Sequence, residues 1–182
     1  MASPNHGLTF ALIATFFVIF YPSPLHAVLT PHEMIQSVCR ATNNNPFCLQ
    51  TLKSDPQALL CKKQLDLVKE VMRLGKASAE KTQNEINSIR TKKDIEPSLM
   101  AALDVCSKSY RFMVESLDTE LKPIEESDLM TLNYDIMVLF DEVRYCNTAL
   151  TQAKAEVPEV SSGNESMKYY ISMAAAATSK LK

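Results

Sequence analysis

Two apolar seams of the same rhythm, each with a cysteine inside it, constrain this chain more than any other feature. Leu99, Leu103, Cys106, Tyr110, Met113 and Leu117 recur at alternating steps of four and three, the spacing of one buried face of an amphipathic helix. Leu129, Leu132, Ile136, Leu139, Val143, Cys146, Leu150 and Ala153 repeat it. Both thiols therefore point toward an interior. Between the seams lies Lys122-Pro123-Ile124-Glu125-Glu126-Ser127-Asp128. Pro123 breaks a helix, and the acids suit the first turn of the next one. So short a connection makes the two helices antiparallel neighbours. Cys106 stands about 18 residues before the turn centre and Cys146 about 21 after it; at a rise of about 1.5 Å per residue the two heights nearly match. A bridge between them is geometrically reasonable, although spacing alone leaves other pairings open.

The first 27 residues read differently. Leu8 to Tyr21 is apolar, and Pro22, Pro24 and the small Ala27 close the run, the pattern of a secretory signal peptide cut after Ala27. The run is short for a membrane span, so the expectation is a secreted chain, residues 28–182, with no membrane association once the leader is removed. Residues 1–27 carry no Asp, Glu, Lys or Arg, so the mature chain keeps the net charge of −2. That mild balance excludes strong global capture of nucleic acid or anionic membrane. Roughly 155 residues make one domain with a real core.

Secretion makes disulfides the default fate of cysteine. Of the five, Cys39 and Cys48 flank an Asn- and Pro-bearing turn that suits a small helical hairpin. With a second bridge at Cys106 and Cys146, Cys61 is left as a free thiol, buried as a small apolar residue or open to an intermolecular bridge. Ser54-Asp55-Pro56 reads as a turn. A long helix follows from about Leu60 to Ile89, with Leu65, Val68, Met72, Gly75, Ala79, Thr82 and Ile86 in its seam. Gly75 there is expected to allow close helix contact. Arg90-Thr91-Lys92-Lys93 marks its end as a solvated C-terminus, with a docking patch as the alternative. The last helix carries Met167, Ile171, Ala174, Thr178 and Leu181 after a loop expected at Val157 to Glu165, in which Asn164-Glu165-Ser166 is a glycosylation acceptor pattern.

The architecture read from this is all-α: a four-helix up-down-up-down bundle over 59–182, preceded by a short N-terminal helical hairpin over 28–58 and stapled by disulfides. Chemistry is absent from the pattern. His32 is the one histidine of the mature chain, expected at a mobile terminus. No phosphate loop, nucleophile elbow or metal-ligand spacing occurs. Acids such as Glu115, Asp118, Glu120, Glu125 and Glu126 fall on helix exteriors or starts. No catalytic residue, metal or cofactor is expected, and the chain reads as a binding protein rather than an enzyme. Nine methionines keep a hydrophobic-ligand carrier as a rival, which would require an open interior.

The spacing Cys39-x8-Cys48, the run Ala102-Leu103-x-x-Cys106-x-x-x-Tyr110 with Leu117 downstream, and Cys146 forty residues after Cys106 resemble the plant invertase and pectin methylesterase inhibitor family. The resemblance spans the mature chain. It implies the disulfides Cys39–Cys48 and Cys106–Cys146, an apoplastic, cell-wall or vacuolar location, and inhibition of a carbohydrate-acting enzyme by stoichiometric binding. Family members that inhibit invertase are associated with a Pro-Lys-Phe motif, which this chain lacks. That absence favours pectin methylesterase as the partner over invertase; a diverged bundle with binding or storage function is a third reading. The sequence departs from the family where small residues are usual: it reads Met137-Val138-Leu139-Phe140 and Tyr145-Cys146-Asn147-Thr148. Bulkier side chains there imply a helix that packs or presents its face differently. Neither the contact residues nor the oligomeric state follows from the sequence.

Overall fold

The computed structural model describes residues 29–121 and 129–181, with the side chains of Glu120, Leu129 and Met130 left aside. The leader and the turn expected at Lys122–Asp128 lie outside these residues. Among the described residues six α-helices run in order: α1 (Pro31–Cys39), α2 (Asn45–Ser54), α3 (Gln64–Arg90), α4 (Pro97–Leu121), α5 (Leu129–Gln152) and α6 (Pro158–Thr178), with one 3-10 turn at Ala58–Leu60. Among the described residues there is no strand.

Local chemistry sets the starts. Thr30 Oγ1 accepts from the Glu33 amide at 3.3 Å while Glu33 Oε2 accepts from the Thr30 amide at 2.8 Å, a reciprocal cap with Pro31 in the first turn. The Thr30 amide and hydroxyl, each donating to Glu33 Oε2 at 2.8 Å, favour the ionised carboxylate and hold the Glu33 pKa below its usual range. His32, expected at a loose terminus, is instead an exposed residue of this first turn. Asn44 Oδ1 caps α2 through the Phe47 amide at 3.1 Å. Asp55 Oδ1 accepts from the Gln57 and Ala58 amides at 2.7 and 2.9 Å, which starts the 3-10 turn and delays α3 from the expected Leu60 to Gln64.

Helices α3 to α6 form a closed ring in which α3 packs on α4, α4 on α5, α5 on α6 and α6 on α3. The seams supply its core. Leu103, Cys106, Tyr110, Met113 and Leu117 of α4 are buried, as are Leu132, Ile136, Leu139, Val143, Cys146 and Leu150 of α5. The hairpin α1–α2 lies against α6 and the start of α3. Phe47 packs on Tyr169 and Tyr170 with ring centroids 4.9 and 5.4 Å apart, and the Asn43 amide donates to Ser172 Oγ at 3.1 Å. Helix α6 is thus covered by both the bundle and the hairpin. Its apolar residues are spread around the axis for that reason, and Met173 and Ala176 are buried along with the seam residue Ile171.

Two expectations are corrected here. Val157–Glu165 is not a loop: α6 starts at Pro158, whose fixed φ suits a first helical position. Ser161, Ser162, Gly163 and Asn164 are poor helix formers, but packing overrides propensity. The close helix approach is also elsewhere than Gly75, where an added Cβ would meet Tyr170 at an ordinary 3.4 Å. At Gly163 a Cβ would overlap Thr82, whose own Cβ would lie at 2.9 Å. Thr82 is buried in the middle of α3 and branched at that atom, so it has little room to yield. Gly163→Ala should therefore destabilise by about 1–3 kcal/mol despite the better helix propensity of alanine. Thermal melts of Gly163→Ala, Thr82→Ala and the double variant test this. The double variant should recover most of the loss, and independent, additive effects would refute the contact.

Candidate functional site

Among the described residues, the cavity inside the bundle is too small for a ligand. The cavity enclosed by Met72, Gly75, Leu117, Leu139, Met167 and Ile171 has a volume of about 10 Å³, the space of a single water at most. Ligand pockets run to roughly 300–1,000 Å³. Met72 and Met113 are fully buried core residues, and the carrier reading loses its cavity. Among the described residues no group of His, Cys, Asp and Glu is arranged to hold a metal, and no helix is long and apolar enough to cross a membrane.

The cysteines fall into two pairs and a remainder. Cys39 and Cys48 are bridged with Cα atoms 5.4 Å apart, closing the α1–α2 hairpin, and Cys106 and Cys146 are bridged at 4.3 Å between α4 and α5. Cys61 is free and buried. Its thiol donates to the Gln57 carbonyl at 3.4 Å. Burial, with the Asp66 carboxylate nearby, pushes its pKa up to about 11, so the reactive thiolate is scarce at neutral or acidic pH.

Asn164, the expected glycan acceptor, does not lie in a surface loop. It is fully buried in α6, where Tyr110 Oη donates to its Oδ1 at 2.9 Å and its Nδ2 donates to Asn147 Oδ1 at 2.7 Å. The same Nδ2 reaches Cys146 Sγ at 3.5 Å. The side chain ties α6 to α4 and α5 beside the disulfide, satisfying a tyrosine whose phenol is pushed above its usual pKa by burial. A glycan attached there would displace this network. The folded protein should carry none at Asn164, so its intact mass should equal that of the bare polypeptide at this site; a glycosylated Asn164 peptide would contradict the buried placement.

What remains for function is the outside. Of the acids set aside in the sequence, Asp118 is paired with Lys76 across α3 and α4, and Glu115 is exposed. The basic run divides: Arg90 pairs with Asp104 at 2.6 Å, while Thr91, Lys92 and Lys93 are exposed. Large apolar side chains, by contrast, gather on the outer faces of α4 and α5, where Val105, Phe112, Tyr134, Met137 and Tyr145 are exposed. Val105, Phe112 and Tyr145 line a groove of about 600 Å³ between the two helices, with Lys108, Arg111 and Glu142 at its edges. The Arg144 guanidinium lies 5.3 Å from the Tyr145 ring centroid and 2.9 Å from Asp141, which steadies the ring. Val105 and Tyr145 immediately precede the bridged Cys106 and Cys146. The groove therefore draws on the same turns of α4 and α5 that carry the covalent clamp. Off-seam aromatics were its only trace in the sequence, and that signal does not separate a docking face from ordinary surface.

A filled helical bundle, held by disulfides and bearing an apolar, charge-rimmed outer groove, defines a protein that works by presenting a rigid surface. A family model described as plant invertase/pectin methylesterase inhibitor matches residues 33–177. The chain belongs to that family. It is 26% identical over 123 residues to the Arabidopsis thaliana protein named cell wall / vacuolar inhibitor of fructosidase 2, covering 66% of this chain and 67% of that one. Its fold is similar to that of a mutant form of a pectin methylesterase inhibitor from Arabidopsis, with a TM-score of 0.71 at 19% identity over 81% of this chain and 97% of that one. A second structure of a pectin methylesterase inhibitor from Arabidopsis thaliana aligns with a TM-score of 0.61, also at 19% identity, over 81% and 95%.

Proposed function

We propose that the protein is a secreted inhibitor, cut after Ala27, that blocks pectin methylesterase in the cell wall by stoichiometric, non-covalent docking. The observation that carries this reading is the family match over 33–177. The α4–α5 groove is the proposed contact face, because exposed aromatics over a rigid support make the strongest interface anchors. The bulky residues that depart from the family pattern meet this reading directly. Met137 and Tyr145 are exposed on the outer side of α5, whereas Leu139 is buried.

Inhibition of invertase is the second reading, favoured by the relative named for fructosidase and opposed by the missing Pro-Lys-Phe. A titration of plant pectin methylesterase and acid invertase with the purified protein decides between them. The expected result is loss of esterase activity saturating near one inhibitor per enzyme, with invertase unaffected. Inhibition of invertase alone reverses the order, and inhibition of neither leaves a non-inhibitory bundle.

A further inference from the structure

We infer that a second surface, the lysine-lined groove at the hairpin end of the bundle, binds the carboxylates of an acidic polysaccharide of uronic acid units. This rests on the proposed function only for the identity of the polymer. The groove has a volume of about 620 Å³ and lies where the start of α3 meets the end of α6; Lys62, Lys63 and Lys180 line it together with Gln64, Ser179 and Leu29, and no carboxylate lines it. All three lysines are exposed, and none is ion-paired among the described residues. Gln64 Nε2 donates to the Ala177 carbonyl at 3.3 Å, which fixes the two walls relative to each other.

The placement of the charges is the argument. Lys180 follows the C-terminus of α6, where the helix dipole favours a cation. Lys62 and Lys63 precede the N-terminus of α3, where the same dipole disfavours one. The nearby acid does not sit between them as a counter-ion within the groove: Asp66 Oδ2 is engaged by the Lys62 and Lys63 backbone amides at 3.2 and 3.0 Å. Three cations thus line a groove whose walls carry no carboxylate, in a chain whose net charge is −2, and an external anion complements them. Hydroxyl and amide groups from Ser179 and Gln64, beside the apolar Leu29, suit a sugar ring with polar edges and an apolar face. A methylesterase acting on pectin releases methanol and leaves a carboxylate, whose negative charge the three lysines attract and the neutral ester lacks. The groove therefore distinguishes the product of the enzyme from its esterified substrate.

The test is binding of de-esterified and fully methyl-esterified oligogalacturonides to the intact secreted protein, measured by calorimetry with Lys62→Gln/Lys63→Gln/Lys180→Gln as the comparison. De-esterified oligomers should bind, more weakly as salt rises; esterified ones should not. The triple variant should bind about tenfold more weakly or worse, with its melting temperature unchanged. Equal binding of both oligomers, unchanged binding of the variant, or equal variant-sensitive binding of poly-glutamate would each overturn the assignment. Inhibition assayed on a small soluble ester separates the two claims. The triple variant should inhibit normally, and a protein that binds the polymer yet inhibits nothing would overturn the proposed function while leaving the groove.

Discussion

Cys106→Ser is expected to lower the melting temperature by about 8–16 °C, the largest stability effect of any single substitution outside the core apolar residues. The bridge spans 40 residues of sequence, and on the chain-entropy model a loop of that length contributes about 4 kcal/mol. For a chain of this size each kcal/mol is worth about 2–4 °C. Cys146→Ser should behave alike, because either change opens the same loop and leaves one buried thiol. The Cys39–Cys48 bridge closes only 9 residues, worth about 2.6 kcal/mol on the same model, so Cys39→Ser should cost visibly less. Differential scanning calorimetry of the three variants settles the ranking. Equal shifts at both bridges would show that loop length is not what the disulfides contribute, and a shift under about 3 °C at Cys106 would show that the packed seams hold α4 to α5 without it.

The extent to which this fold is legible in the sequence follows from how its helices are buried. Helices α3, α4 and α5 each bury one stripe in the ring and expose the opposite side, so the three-four rhythm survives intact, from Val68 to Ile86 and from Leu103 to Leu117. The second half of α6 lacks a free side, since every residue from Ile171 to Thr178 is buried or half-buried. The hairpin covers the helix through Phe47 and Asn43, its stripe broadens, and its first turns contain residues that in isolation favour a loop. Asn164 is the sharpest case. The tripeptide pattern reads only chain identity, and a buried asparagine bonded to Tyr110 and Asn147 has the same letters as an exposed acceptor. Gly163 and Thr82 are 81 positions apart in the sequence, and nothing local to either announces their contact. The α4–α5 groove is hidden for a different reason. Val105, Phe112 and Tyr145 lie off the seams, where exposed apolar residues are common, and only their convergence in space separates them from scattered surface.

That convergence carries the second large effect. Phe112→Ala and Tyr145→Ala are each expected to weaken inhibition by about 30-fold, and the double variant by about 100-fold or more, since truncating an aromatic anchor costs about 2 kcal/mol and anchors in one patch do not add fully. Both side chains are nearly half exposed, at 44% and 48%, so neither substitution removes core packing and the melting temperature should hold. Arg144→Ala should have a smaller effect in the same direction, because the guanidinium over the Tyr145 ring orders the ring without itself being the anchor. The rigid support can be separated from the anchors as well. Cys106→Ser, assayed well below its lowered melting temperature, should weaken inhibition chiefly through faster dissociation, because the groove it loosens still carries both rings. Inhibition constants unchanged in Phe112→Ala, Tyr145→Ala and the double variant would remove the α4–α5 groove as the contact face. The bundle would then have to engage its enzyme through another side.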